Sequence, residues 1–153
     1  MRILVEDLKP GLVSGIRVQL PKESSISDDS YFIWSESSLT ASFQTKDISG
    51  GVLCSVRKEI KFQEMEYHQD DEMFYFTSGI GIMAFCDIQN GKVISESIQL
   101  VRIRQGTQII IEKGKGHFVP VAESEKMLKI IVVSPKMEAL KVMTDEVIEG
   151  DVE

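Results

Sequence analysis

The chain has 153 residues, 42% hydrophobic and 27% charged, with 24 acidic residues against 17 basic for a formal charge of −7. That length closes one substantial core, so a single domain over residues 1–153 is expected, and the acidic balance excludes nucleic acid and anionic membranes as partners. No apolar run reaches the roughly 20 residues that span a bilayer, residues 1–7 turn acidic too early for a secretory segment, and two cysteines, Cys54 and Cys86, exclude a disulfide scaffold and read as buried thiols of a cytoplasmic protein.

In chain order the first elements read in period two, the spacing of a half-buried strand. Residues 12–20 place Val13, Ile16, Val18 and Leu20 between polar positions. Residues 22–30, rich in Ser and Asp, are expected to form a mobile loop. Tyr31, Phe32, Ile33 and Trp34 predict a short aromatic strand, and Leu39, Ala41 and Phe43 alternate as another. After the break at Gly50-Gly51 a strand starts at Val52, and Ile60 and Phe62 then lead into an acidic, histidine-containing stretch. Residues 73–76 and 79–88 predict two more strands. Asn90-Gly91 readily takes the positive φ angles of a type I′ turn and predicts a hairpin between its flanking strands. Strands follow over 97–103, 107–112, 117–121 and 127–133, separated by turns such as Gln105-Gly106.

Ser134-Pro135 offers an N-cap with proline at the first helical position, so a short helix is expected over about 135–143, followed by an acidic tail that frays. Many short strands with one terminal helix indicate an all-β protein, a compact barrel or jelly roll with its core over about 38–133.

The two histidines carry the chemistry. Glu66 and His68 share the parity of one strand and can point the same way. Glu72 follows after a bend at Gln69-Asp70-Asp71, and His117 starts a strand after the glycine-rich turn 113–116. Two imidazoles and two carboxylates meeting across a barrel would suit a divalent cation, and that donor set favours borderline or harder metals over copper(I). The bland alternative is that the histidines are ordinary polar residues at strand ends and the glutamates solvated surface acids, as the loop-like Asp70 and Asp71 between them read. If Glu66 and Glu72 do point inward, a cation, a proton or a basic side chain must answer them. Residues 113–116 lack the P-loop pattern and read as a turn.

These residues resemble the cupin superfamily (RmlC-like). Its first motif, Gly-x5-His-x-His-x3-4-Glu-x6-Gly, is matched in spacing by His68, Glu72 and Gly79. Its second, Gly-x5-Pro-x-Gly-x2-His-x3-Asn, is matched by Gly106, Gly114 and His117. Glu66 stands in place of the first histidine, Ile60 of the leading glycine, Glu112 of the proline and Val121 of the asparagine. The resemblance covers about residues 52–133. It implies a cupin-type double-stranded β-helix, a metal held by Glu66, His68, Glu72 and His117 (zinc, manganese, iron or nickel), and a homodimer.

Within cupins the chain is most similar to the ureidoglycolate lyase family, through its opening strand and turn and through Glu66-Tyr67-His68, Glu72 and Gly79. That resemblance implies a small polar carboxylate as substrate, ureidoglycolate split into glyoxylate and urea, with Glu72 moving the proton if it is not a ligand. Tyr67 replaces the family's arginine, whose work Arg57, Arg102 or Arg104 would then do. A non-catalytic ligand-binding cupin and a different cupin enzyme, an isomerase or dioxygenase, are the alternatives.

Overall fold

Asn90 and Gly91 adopt φ of +50° and +71°, the paired left-handed geometry of a type I′ turn. In the computed structural model, which describes residues 1–23 and 25–153, this turn joins two long antiparallel strands, β6 (Gly81–Gln89) and β7 (Lys92–Ile103). The chain reaches them through β1 (Arg2–Asp7), β2 (Ile16–Gln19), β3 (Ser49–Ser55), β4 (Lys61–Tyr67) and β5 (Glu72–Ser78). It leaves through β8 (Gln108–Ile111), β9 (Gly116–His117), β10 (Val121–Ala122), β11 (Leu128–Ser134) and β12 (Leu140–Asp151).

The strands form two sheets. The seven-stranded sheet runs β10-β6-β7-β1-β12-β4-β9, and β9 pairs back onto β6, closing it into a ring. β1 lies parallel to both β7 and β12, so the barrel is mixed. The five-stranded sheet, β2-β8-β5-β11-β3, is antiparallel throughout. Alternation along β6 shows why two cores coexist. Ile82, Ala84 and Cys86 join Val5, Phe62, Met65 and Leu100 in a core drawn from the ring's own sheet. Met83 and Phe85 point the other way, into a core shared with Phe74, Phe76, Ile109 and Ile130 of the five-stranded sheet. Burying both faces makes residues 81–86 continuously apolar apart from Gly81, as expected of a strand without a wet side.

The chain is thus the all-β barrel that its short strands indicate, with four differences. No helix occurs over 135–143: residues 135–139 are irregular and β12 follows, paired with β4 and β1. The acidic tail is not frayed, because Glu149, Gly150 and Asp151 pair with Arg2, Ile3 and Leu4. Residues 31–34 and 39–43 form no strand; Tyr31 and Trp34 are exposed, since alternation alone supplies no partner strand. Cys86 is buried as expected, but Cys54 is exposed on β3. The expected loop at 22–30 includes Ser24, which lies outside the described residues; its described positions carry no helix or strand. β1, β2 and β12 contribute to the sheets from outside residues 38–133. Among the described residues no helix is long and apolar enough to cross a membrane.

Candidate metal centre

The four side chains singled out by spacing arrive from three strands and one bend. Glu66, near the end of β4, is the cross-strand partner of His117 on β9, and His117 also faces Phe85 of β6. Glu72 opens β5 in the other sheet, opposite Ile111. His68 sits in the bend that carries the chain from one sheet to the other. Alternation does not run unbroken into this site. Phe62 and Met65 both enter the ring's core, and the β4–β12 register shifts between Met143 and Ile148.

The bend is fixed by its own acids. Asp70 is 7% exposed, and its two carboxylate oxygens accept the N–H groups of Asp71 and Gln44, each at 2.9 Å. Asp71 accepts the N–H of Lys113 at 2.9 Å, and Gly114 donates its N–H to the His68 carbonyl at 2.9 Å. Asp70 and Asp71 are therefore not a solvated loop. They fasten the His68 bend to the turn that precedes His117.

Glu66, His68 and His117 each offer a ligand atom within 4.8 Å of the others. Nε2 of His68 lies 2.9 Å from Glu72 Oε1 and 3.8 Å from Glu66 Oε1; Nε2 of His117 lies 3.1 Å and 3.9 Å from the same two oxygens. The ring centroids are 5.2 Å apart. Phe74 meets His117 edge-on at 6.5 Å and walls the site on the core side.

Both rings are oriented from behind. His117 Nδ1 is 3.0 Å from the Lys115 carbonyl, and His68 Nδ1 is 3.2 Å from the Glu138 carbonyl. A carbonyl only accepts, so each Nδ1 carries the hydrogen, and a neutral ring then turns a bare Nε2 lone pair inward. His117 is 2% exposed, and its Nε2 and the Glu72 Oε1 are buried with no hydrogen-bonding partner in suitable alignment. In the neutral ring, two acceptors thus face each other across 3.1 Å. A proton or a cation between them relieves that conflict.

The neighbouring carboxylates drive His68 toward its protonated form. Burial is the largest single influence on His68 and lowers its pKa. The carboxylates of Glu66 and Glu72, with the Glu138 carbonyl, outweigh it and push His68 from 6.5 up to about 10. For Glu72 burial acts upward, but His117 and His68 hold the carboxyl down at about 2. Hydrogen bonding from His68 keeps Glu66 below the usual carboxylate range against its own desolvation. A buried Glu/His/His group of this kind can hold a metal ion: two nitrogens and carboxylate oxygen form a donor set for zinc, iron, manganese or nickel.

The surroundings differ from expectation in one respect. Arg57 is paired with Glu125 at 2.9 Å, and Arg102 is gripped by Glu123 at 2.7–2.9 Å and by Asp7 at 2.8 Å. Neither is drawn to the cluster, and Arg104, which is exposed, does not line the pocket beside His68. The basic side chain that lines the pocket of about 460 Å³ beside His68 is Lys113, together with Gln44, Tyr67 and Gln69. Sequence reasoning missed Asp70, Gln44 and the Lys115 and Glu138 carbonyls. An acid between two candidate ligands was a readable signal for Asp70; a backbone carbonyl leaves none.

No family model and no curated protein matches the sequence. Several solved structures are similar, RmlC and CapF among them. RmlC from Streptococcus suis in complex with dTDP-D-xylose aligns with a TM-score of 0.42 and 13% identity, over 61% of this chain and 46% of that one. CapF with the inhibitor 3-isopropenyl-tropolone aligns with a TM-score of 0.30 and 19% identity, over 63% of this chain and 28% of that one. The chain spans less than half the length of either.

Proposed function

We propose that this chain is a metal-binding cupin whose divalent ion is held by Glu66, His68, Glu72 and His117, and that it acts on a small polar carboxylate. The single observation that carries the reading is the convergence of the His68 and His117 Nε2 atoms on Glu72 Oε1, at 2.9 and 3.1 Å, while the Nδ1 of each ring is committed to a carbonyl. A bound divalent ion supplies Lewis acidity for oxygens of a hydroxy acid.

The specific reaction proposed is of the ureidoglycolate lyase kind. The carbon–nitrogen bond of ureidoglycolate breaks, the hydroxyl becomes the aldehyde carbonyl of glyoxylate, and the hydroxyl proton passes to the departing urea nitrogen. Where it is not itself a ligand, Glu72 carries that proton between the two sites. Lys113 and Tyr67, on the pocket beside His68, provide polar contacts for the substrate carboxylate. The protein is proposed to be a homodimer.

The test is to load the purified protein with each of zinc, manganese, iron and nickel, add ureidoglycolate and follow glyoxylate. Turnover lost in His68→Ala and His117→Ala together with their metal supports the reading; turnover unchanged in both removes the cluster from the chemistry. Glu72→Gln separates its two roles, because loss of turnover with metal retained identifies a proton carrier and loss of both a ligand. One observation favours a second reading, a binding module without turnover: Arg57 and Arg102 are held by acids elsewhere, leaving a lysine rather than a bidentate guanidinium at the pocket. Tight carboxylate binding by metal-loaded protein, with no product from any substrate offered, identifies that case.

A further inference from the structure

A second pocket lies away from the metal cluster, where the end of β3, the start of β4 and the chain between β9 and β10 meet. Its volume is about 360 Å³, within the range of small-molecule sites. The walls are Val56, Phe62, Phe118, Pro120 and Met127, and the rim carries Lys58 and Lys61. The walls are held in place: Ser55 Oγ donates to the Pro120 carbonyl at 2.8 Å, Ala122 N–H to the Val56 carbonyl at 3.3 Å, and Arg57 bridges Ala122 in parallel register.

Two features point to a ligand. Val56 is 63% exposed, and Val119 and Met127 are also open to solvent although they line a concavity, which shares Phe62 with the ring's core. The two ammonium groups differ in their commitments. Lys61 is tied to Glu59 at 2.9 Å and Glu149 at 3.8 Å, whereas Lys58 has no ion-pair partner among the described residues. In a chain of charge −7, an uncommitted cation on the lip of an apolar pocket is complementary to a molecule with an apolar body and one negative end.

We infer that this pocket is a second binding site, separate from the proposed metal centre, for an amphipathic monoanion such as a medium-chain or aromatic carboxylate, with its tail on Val56, Phe118 and Met127 and its carboxylate at Lys58.

The pocket contains its own reporter. Cys54 lines it and is exposed, whereas Cys86 is wholly buried and desolvation pushes its thiol up to about 11. Neutral iodoacetamide therefore labels Cys54 selectively, with the position read by peptide mass. Octanoate is expected to slow that labelling saturably by about tenfold or more, while acetate and octylammonium at equal concentration do not. Lys58→Glu should raise the octanoate needed for half-protection by about fivefold, the scale of an exposed ion pair, and Val56→Asp, on an exposed position that spares the core, should abolish protection. Three results would overturn the inference: no saturable protection by octanoate, equal protection by octylammonium, or unchanged protection in Lys58→Glu. Labelling that slows with protein concentration alone would also overturn it, by showing that a second copy covers the pocket.

Discussion

Each imidazole of the cluster is held by one nitrogen and presents the other, and this division sets the pH behaviour of the metal-free protein. His68 rises from 6.5 to about 10 on folding, so its stabilising contact is complete below about 6.5 and lost as pH climbs through about 10. Glu72 falls from 4.5 to about 2, so its contribution is complete above about 4.5 and lost as pH drops through about 2. Both contributions overlap in full between about pH 4.5 and 6.5. The melting temperature of metal-free protein should therefore be higher at pH 5.5 than at pH 9.5, and His68→Ala should flatten that alkaline decline; a decline unchanged by the substitution would remove His68 as its source. The motif spacing made these four side chains legible, because a strand, a short bend and a strand start fix where residues 66, 68, 72 and 117 can meet. The Lys115 and Glu138 carbonyls behind the rings were not legible, since any residue type supplies one.

At the scale of the element, the two-residue strand β9 is where packing and site depend on each other most. A Cβ on Gly116 would lie 2.4 Å from Cys86 Sγ and 3.1 Å from the Cys86 carbonyl oxygen, so glycine is what lets β9 approach β6 and bring His117 in. Gly116→Ala should cost about 1–3 kcal/mol by overpacking and weaken metal binding through displacement of His117. Gly114→Ala is the informative comparison: nothing lies within 4 Å of its added Cβ, but φ is +81°, so its cost of about 1–2 kcal/mol comes from backbone strain alone. Denaturant melts and metal titrations of the two variants check this, and equal metal affinity in Gly116→Ala and wild type would contradict the coupling. Strands whose signal is local, such as the β6–β7 hairpin, were readable. β12 was not, because Ser134-Pro135 opens like a helix while the edges of β4 and β1 that capture residues 140–151 lie far away in sequence. Residues 31–34 failed in the opposite sense, having strand-forming side chains and no edge to join.

Across the whole molecule, the cluster draws its side chains from both sheets and from the bend between them. Glu66 and His117 belong to the ring, Glu72 to the five-stranded sheet, and His68 to the bend between them. Between the two sheets adhesion otherwise comes from the shared apolar core and a few hydrogen bonds, such as Ala122 N–H to the Val56 carbonyl, with the Asp71 and His68 contacts to Lys113 and Gly114 fastening the bend at this end. An ion bound to all four side chains would tie both sheets and the bend in the native state but not in the unfolded chain, so its binding free energy adds to global stability. At 100 times its dissociation constant that gain is about 2.7 kcal/mol, which for a chain of this length corresponds to a melting temperature higher by about 5–10 °C. Amide hydrogen exchange should slow most in β4, β5 and β9, because opening any of them then breaks the coordination. In His117→Ala both the thermal gain and the added exchange protection should vanish, whereas a surface change such as Glu125→Gln, which breaks only an exposed pair with Arg57, should leave both intact. If zinc, manganese, iron and nickel each leave the wild-type melting temperature where it was, the inward-facing lone pairs are satisfied by protons alone, and the barrel is held by its two cores without a metal between them.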